Sequence, residues 1–281
     1  MSQVSTALDF DTLEEPANNL GRDHLETHWM PFTGNRDFHA DPRMIIGAKG
    51  RHYTASDGRQ ILDSLSGLWC ASFGHCREEI ADAVSRAARS LDYAPAFQFG
   101  HPLSFELANR VKAITPEGLD HVFFTNSGSE SADTALKMVR AYWRLKGQPE
   151  KIRIIGRAKG YHGVNVGGTS VGGIGPNRKA FGPLLDADHL PHTLLPENRF
   201  SRGIPEHGIE LADRLEEIIA LHDPSNVAAV MVEPMSGSAG VVIPPAGYLQ
   251  RTREICDRHN ILLVFDEVLT GFGRLGAPFG A

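Results

Sequence analysis

The chain has few cysteines, no long apolar run and no excess of basic charge, and each shortage excludes something. Cys70, Cys76 and Cys256 are the only three in 281 residues. An odd number at spacings that suit no metal site gives no ground to expect a disulfide scaffold or a bound metal, and a reducing, cytoplasmic compartment is the simplest setting. The longest apolar runs, such as ILLVF at 261–265, fall far short of the roughly 20 residues that cross a bilayer, so no membrane partner is expected. Acidic residues number 34 against 28 Lys and Arg, and they are interspersed; at a formal charge of −6 no basic stripe is left for a nucleic acid. The opening MSQVSTALDFDTLEEP lacks the basic-then-apolar order of a signal peptide and the arginine bias of a transit peptide, and is expected to form a loose arm. What remains, 41% apolar and 22% charged residues, is ordinary for a globular enzyme or binding protein with one or two domains.

Around Asp57-Gly58, a dipeptide favoured in hairpin turns, the sequence GRHYTASDGRQILDSLSGL alternates loosely. CREEIADAVSRAARSLD and LSFELANRVKAI carry apolar residues at helical spacing. After Asp120 the texture changes. HVFFT (121–125) reads as a buried strand, NSGSE as a turn, and SADTALKMVRAYWRLKG as a helix closed by Gly147. IRIIG (152–156) reads as a strand followed by a glycine-rich loop over 160–175. Then come a helix in GIELADRLEEIIALH, a strand in VAAVMVEP (227–234), a helix in GYLQRTREICDRHN and a strand in ILLVFDE (261–267). Short, continuously apolar strands alternating with helices predict an α/β fold, a mostly parallel, doubly wound sheet covered on both faces. Residues 1–100 are expected to hold the arm and part of a smaller α+β domain, and 101–281 the large ligand-binding domain.

In such sheets a ligand sits beyond the carboxyl ends of the strands. That rule selects four places. In NSGSE, Gly128 allows close backbone approach and Ser129 adds a hydroxyl at a helix start, which favours a phosphate; Ser127-x-x-Glu130 also reads simply as a capping box. In GYHG (160–163), the Tyr161 ring could lie on a planar cofactor or be an ordinary loop tyrosine. Glu233 and Asp266 both end apolar runs, where an acid faces the crevice, caps a helix or pairs with an arginine. An ionised Asp266 at the bottom of a crevice needs a cationic or donor partner, and a protonated pyridine nitrogen would be one.

Gly271, Gly273 and Gly276 spell G-x-G-x-x-G after a strand, as a dinucleotide fingerprint should. The other requirements fail. Pro278 argues against a helix opening there, this sequence has no acid some twenty residues on, and the glycines begin five residues past Asp266. Nicotinamide or flavin dinucleotide binding is not expected.

A phosphate cup, an aromatic and a carboxylate for a ring nitrogen together suit pyridoxal 5'-phosphate. The ordered motifs FFTNSGSESADTALKMVRAYWR, GYHG, VEP and VFDEVLTGFGR resemble the class III (omega) aminotransferases of the fold-type I pyridoxal phosphate enzymes. HWMPFTGNRDF, SGLWC and AFQFGHPLSFELA resemble the β-alanine (omega-amino acid):pyruvate aminotransferases within that class. The resemblance runs from about Leu25 to the last residue. It implies that Gly128 and Ser129 hold the phosphate, that Tyr161 and Val268 flank the pyridine, that Asp266 pairs with its nitrogen and that Glu233 belongs to the polar surround. It places Trp69 in the substrate pocket, with Trp29 and Phe32 near its mouth, although for each of these a packing role is equally open or favoured.

One departure stands against these matches. The family's Schiff-base lysine lies on a strand beyond the DEV motif, and no lysine of this sequence follows Asp266. Lys159, beside GYHG, matches no catalytic position and reads as a solvated side chain. The chain is therefore expected to be C-terminally truncated and, by itself, inactive as a transaminase. The complete enzyme is expected to take a small-molecule amino donor and a keto acid, as a homodimer or higher homo-oligomer. Ornithine, 4-aminobutyrate and diamine transaminases, a 1,2-aminomutase and a non-catalytic pyridoxal phosphate-binding fragment stay open.

Overall fold

The computed structural model describes residues 25–182 and 185–281. The chain divides into two compact units, Met1–His101 and Pro102–Ala281.

In the first unit, helix α1 (Asn35–Ala40) precedes a three-stranded antiparallel sheet of β1 (Ile45–Lys49), β2 (His52–Ala55) and β3 (Gln60–Leu62) in that order. The Asp57-Gly58 turn joins β2 to β3. Gly58 takes φ +85°, which only glycine adopts without strain, and the Asp57 carboxylate accepts the Arg59 N–H at 3.1 Å. Helix α2 (Glu78–Ser90) follows. Between β3 and α2 the backbone makes a left-handed turn over Ser66–Trp69, with φ of +51°, +58°, +56° and +75° at Ser66, Gly67, Leu68 and Trp69. Three of these residues are not glycine, and each costs about 1–2 kcal/mol in that conformation.

The second unit opens with α3 (Pro102–Lys112) and α4 (Gly128–Leu145). Its sheet is built from β4 (Arg153–Arg157), β5 (Ala187–Leu190), β6 (Val227–Val232) and β7 (Leu262–Phe265), all parallel, in the order β5-β4-β6-β7. Helices α5 (Val166–Val171) and α6 (Gly175–Phe181) lie between β4 and β5, α7 (Arg214–His222) precedes β6, and α8 (Tyr248–Arg258) precedes β7. Every residue of β6 is buried, as a central strand covered on both faces requires. Val230 and Val232 pack with Leu215 and Ile219 of α7 and Ile255 of α8; Ala229 and Met231 pack with Leu136, Val139 and Trp143 of α4 and Val171 of α5. That two-sided core is the expected doubly wound arrangement.

Three details depart from the sequence reading. HVFFT at 121–125 forms no strand: no described segment pairs with it, and Phe123 and Phe124 stay 66% and 46% exposed. An apolar run supplies side chains for a strand but not the neighbouring backbone that must accept its N–H groups. The expected helix at GIELADR begins as a 3-10 turn, Ile209–Asp213, before α7. Finally, the glycine-rich loop contains α5, and β5 was not foreseen at all.

Candidate functional site

The carboxyl ends of β4, β6 and β7 and the first turn of α4 bring six of the predicted residues together. At the start of α4, Ser127 adopts extended backbone and its Oγ accepts the Glu130 N–H at 3.1 Å, while the Glu130 carboxylate accepts the Asn126 N–H at 2.8 Å. The capping box thus exists, displaced by one residue on its return bond. It leaves the N–H groups of Gly128 and Ser129, among the first four of an 18-residue helix, without an intrahelical acceptor. Those amides and the positive end of the helix dipole suit an anion. Gly128 has a second reason to lack a side chain: a Cβ there would stand 2.9 Å from a methyl of Val268.

The GYHG loop is folded onto this helix start. Ser129 Oγ accepts the Val164 N–H at 3.0 Å, and a Cβ on Gly163 would lie 2.6 Å from Ser129 Oγ and 2.7 Å from its Cα. Tyr161 is half-buried, and desolvation raises its phenol pKa. Its backbone N–H donates to Glu233 Oε1 at 3.1 Å, while Glu233 Oε2 accepts the Gly237 N–H at 3.0 Å. Burial pushes the Glu233 carboxyl pKa up, and these two hydrogen bonds, with the nearby His162 and Arg157, only partly oppose the rise.

Asp266 follows β7 directly, its N–H bonded to the Val232 carbonyl at 2.9 Å. Its Oδ1 accepts the Val268 N–H at 3.1 Å, and its Oδ2 lies 2.9 Å from His162 Nδ1. His162 is fully buried and was missed by the sequence reading, as was Arg157. A carboxylate acceptor assigns the proton to Nδ1. Arg157 donates to the Glu233 carbonyl at 2.6 Å and to Ser236 Oγ at 2.7 Å, with its guanidinium 5.8 Å from the Tyr248 ring centre. It thereby fixes the turn that carries Glu233. What results is a carboxylate held from behind by an imidazole, beside a helix start with free amides.

The other predicted residues lie in the first unit. Trp29 and Phe32 are 89% and 80% exposed, and Trp69 is half-buried at the end of the left-handed turn. Lys159 stands before Gly160 with its N–H on the Gly173 carbonyl. The 271–276 glycines form turns rather than a helix N-terminus, with Gly273 and Gly276 at φ +94° and +92°. The segment curls back so that the Glu267 carboxylate accepts the Gly280 and Ala281 N–H groups. A cavity of about 550 Å³ beside α4 is lined by Phe123, Phe124, Lys137 and Ile154 but by none of Tyr161, Glu233 or Asp266, and is separate from this constellation.

The family model for aminotransferase class-III matches residues 34–281. The chain belongs to that family. Over 259 residues it is 63% identical to a beta-alanine–pyruvate aminotransferase of Pseudomonas aeruginosa and 62% identical to an omega-amino acid–pyruvate aminotransferase of Pseudomonas putida; each match covers 92% of this chain and 58% of the relative. A thermostable (S)-enantioselective omega-transaminase from Thermomicrobium roseum superposes with a TM-score of 0.85 at 35% identity, covering 94% of this chain and 59% of that one. This class-III chain thus spans about three-fifths of the length of the relatives it matches. No described helix is long and apolar enough to cross a membrane.

Proposed function

We propose that this chain supplies the cofactor-holding part of a pyridoxal phosphate-dependent transaminase that moves an amino group from β-alanine, or another omega-amino acid or amine, to pyruvate. The observation that carries this reading is Asp266, fixed by His162 and the Val268 N–H at the strand ends where an α/β sheet receives its ligand. The donor set fits the cofactor. Free amides at Gly128 and Ser129 and the Ser129 hydroxyl suit its phosphate, Asp266 suits a protonated ring nitrogen, and Tyr161 and Val268 offer surfaces for the ring. When bound, pyridoxal phosphate supplies an electron sink for charge developing at the donor carbon.

The chain's own residues bind and orient. Asp266, hydrogen-bonded to His162, would hold a proton on the ring nitrogen. Glu233, tied to the Tyr161 and Gly237 amides, sets the height of the Tyr161 backbone over the crevice. Trp69 lines the donor pocket, with Trp29 and Phe32 near its mouth. In this reading the lysine that the resemblance calls for is not among these 281 residues, the whole protein is a cytoplasmic homodimer, and pyruvate is the amino acceptor.

Titration of the chain with pyridoxal phosphate, followed by absorbance, tests the site: binding is expected, and Asp266→Ala is expected to weaken it at least about tenfold. Equal affinity in that variant refutes the assignment of Asp266. After borohydride reduction, peptide mapping is expected to show no adduct on Lys159, and an adduct there overturns its reading as a bystander. Donor profiling on the full-length protein tests the substrate. Activity with ornithine or 4-aminobutyrate but not β-alanine sinks the donor assignment.

A further inference from the structure

The first unit holds a side-chain cluster to which the proposed chemistry assigns no role. Asp63, whose carboxylate is only 6% exposed, lies three residues before the left-handed turn Ser66–Trp69. Its Oδ1 accepts the Leu65 N–H at 3.2 Å and its Oδ2 accepts the Gly67 N–H at 2.6 Å. The same Oδ2 lies 2.7 Å from His75 Nε2. The Tyr53 and His75 ring centres lie 4.5 Å apart with the planes tilted by 45°, and a Cβ on Gly67 would lie 3.3 Å from the Tyr53 hydroxyl and 3.6 Å from His75 Cε1. Three further backbone bonds close the turn, Trp69 N–H to Leu65 O at 2.9 Å, Ala71 N–H to Ser66 O at 2.7 Å and Cys70 N–H to Ser66 O.

Three of the turn's four positions, Ser66, Leu68 and Trp69, take a backbone conformation that L-residues disfavour. Such a turn persists only where its surroundings over-determine it, and strain of this kind concentrates at functional sites. Leu68, 70% exposed, gains too little burial to hold it. The one side chain that accepts from the turn is Asp63, which takes the Gly67 N–H within it and the Leu65 N–H just before it, and His75 orients the carboxylate in turn.

We propose that Asp63 is a positioning residue: it locks the left-handed turn and thereby sets how Trp69 is presented to the amino donor. The donor-facing role of Trp69 rests on the function proposed above; the locking of the turn does not.

The test uses 5-fluorotryptophan in the three tryptophans, with the Trp69 fluorine resonance assigned by its loss in Trp69→Phe. Asp63→Ala is expected to shift or split the Trp69 resonance. The Trp143 resonance, from the core of the second unit, is expected to stay in place and shows that the change is confined to the first unit. Adding Ser66→Gly and Leu68→Gly to Asp63→Ala is expected to return the Trp69 resonance to its original position, because glycine enters the left-handed backbone without the steric cost that Asp63 offsets. Loss of packing alone would not be rescued this way. In the full-length enzyme Asp63→Ala is expected to raise donor KM about tenfold with kcat within about twofold. An unmoved Trp69 resonance in Asp63→Ala, or a shift that the glycines fail to reverse, overturns the locking role. A Trp69→Phe enzyme with unchanged donor KM instead removes Trp69 from the donor pocket, leaving the resonance result as it stands and overturning the presentation role.

Discussion

Gly163→Ala probes whether the GYHG loop and the α4 start form one rigid cup. Gly163 takes φ +102°, and a Cβ there would sit 2.7 Å from Ser129 Cα, a backbone atom that cannot rotate away. Two costs add. The left-handed backbone costs a β-carbon-bearing residue about 1–2 kcal/mol, and forcing a methyl into a filled space costs about 1–3 kcal/mol. Loss of the Val164 N–H bond to Ser129 Oγ adds about 1 kcal/mol if the loop retreats. The sum is roughly 2–6 kcal/mol, which at a slope of about 2–3 kcal/mol/M lowers the urea midpoint of the second unit by about 0.7–3 M. The fluorine resonance of Trp143 reports that unit specifically. Pyridoxal phosphate affinity is expected to fall with stability, because a retreating loop takes away the Val164 N–H that orients the Ser129 hydroxyl. Gly175→Ala is the control: no atom lies within 4 Å of its Cβ position, and a shift within about 0.5 kcal/mol is expected. A Gly163→Ala chain with the wild-type midpoint and affinity refutes the close approach and with it the shared cup.

Three further outcomes follow from buried groups. Lys151 donates to the Val227 and Asn260 carbonyls at 3.3 and 2.8 Å, so Lys151→Met strands two acceptors and is expected to cost about 1–3 kcal/mol. Desolvation lowers the Lys151 pKa, so between that value and the unfolded one, about 10.4, the unfolded chain binds more protons. Wild-type stability relative to Lys151→Met should therefore grow as pH rises through that window, and a flat difference refutes it. Glu233→Gln turns an NH2 group toward one of two N–H donors and is expected to cost about 1–3 kcal/mol at neutral pH. Because the native Glu233 pKa is raised, the native state holds the extra proton above pH ~4.3, and wild-type stability should fall with rising pH where Glu233→Gln shows no such fall; urea midpoints across mildly acidic pH decide this. Burial pushes the Cys256 thiol up to about 12, so Ellman's reagent at pH 8 should titrate exposed Cys70 and Cys76 and reach Cys256 only after unfolding. Equal rates for all three thiols refute it.

The four longer helices and most strands of the second unit were legible because each carries an apolar stripe or run whose period survives in the sequence. Where tertiary contact replaces period, the reading failed. Helix α5 contains Gly167 and Gly168, poor helix formers. A Cβ at the first would strike Asp133 Oδ1 at 2.5 Å and at the second the His162 carbonyl at 2.2 Å, so close packing overrode propensity. Strand β5 reads ADHL, with no apolar run, because Asp188 is tied to Arg153 at 2.8 Å and His189 Nε2 to the Val171 and Gly172 carbonyls at 3.0 Å. HVFFT erred in the opposite sense: all the side-chain signal of a strand, and no described partner for its backbone.

The site divides in the same way. Asp266 was readable because an acid ending an apolar strand is conspicuous, and Ser129 because a glycine-hydroxyl pair opens a helix. His162 was not, since its partner Asp266 lies 104 residues away. Yet GYHG held half the answer. Of the two residues between its glycines, Tyr161 is half-buried and His162 fully buried. An imidazole driven inside needs a polar partner, and among the strand-end acids Glu233 is already engaged by two backbone amides. Asp266 is the strand-end acid left to take it, and that requirement, more than the tyrosine beside it, ties the loop to the chemistry proposed for the site.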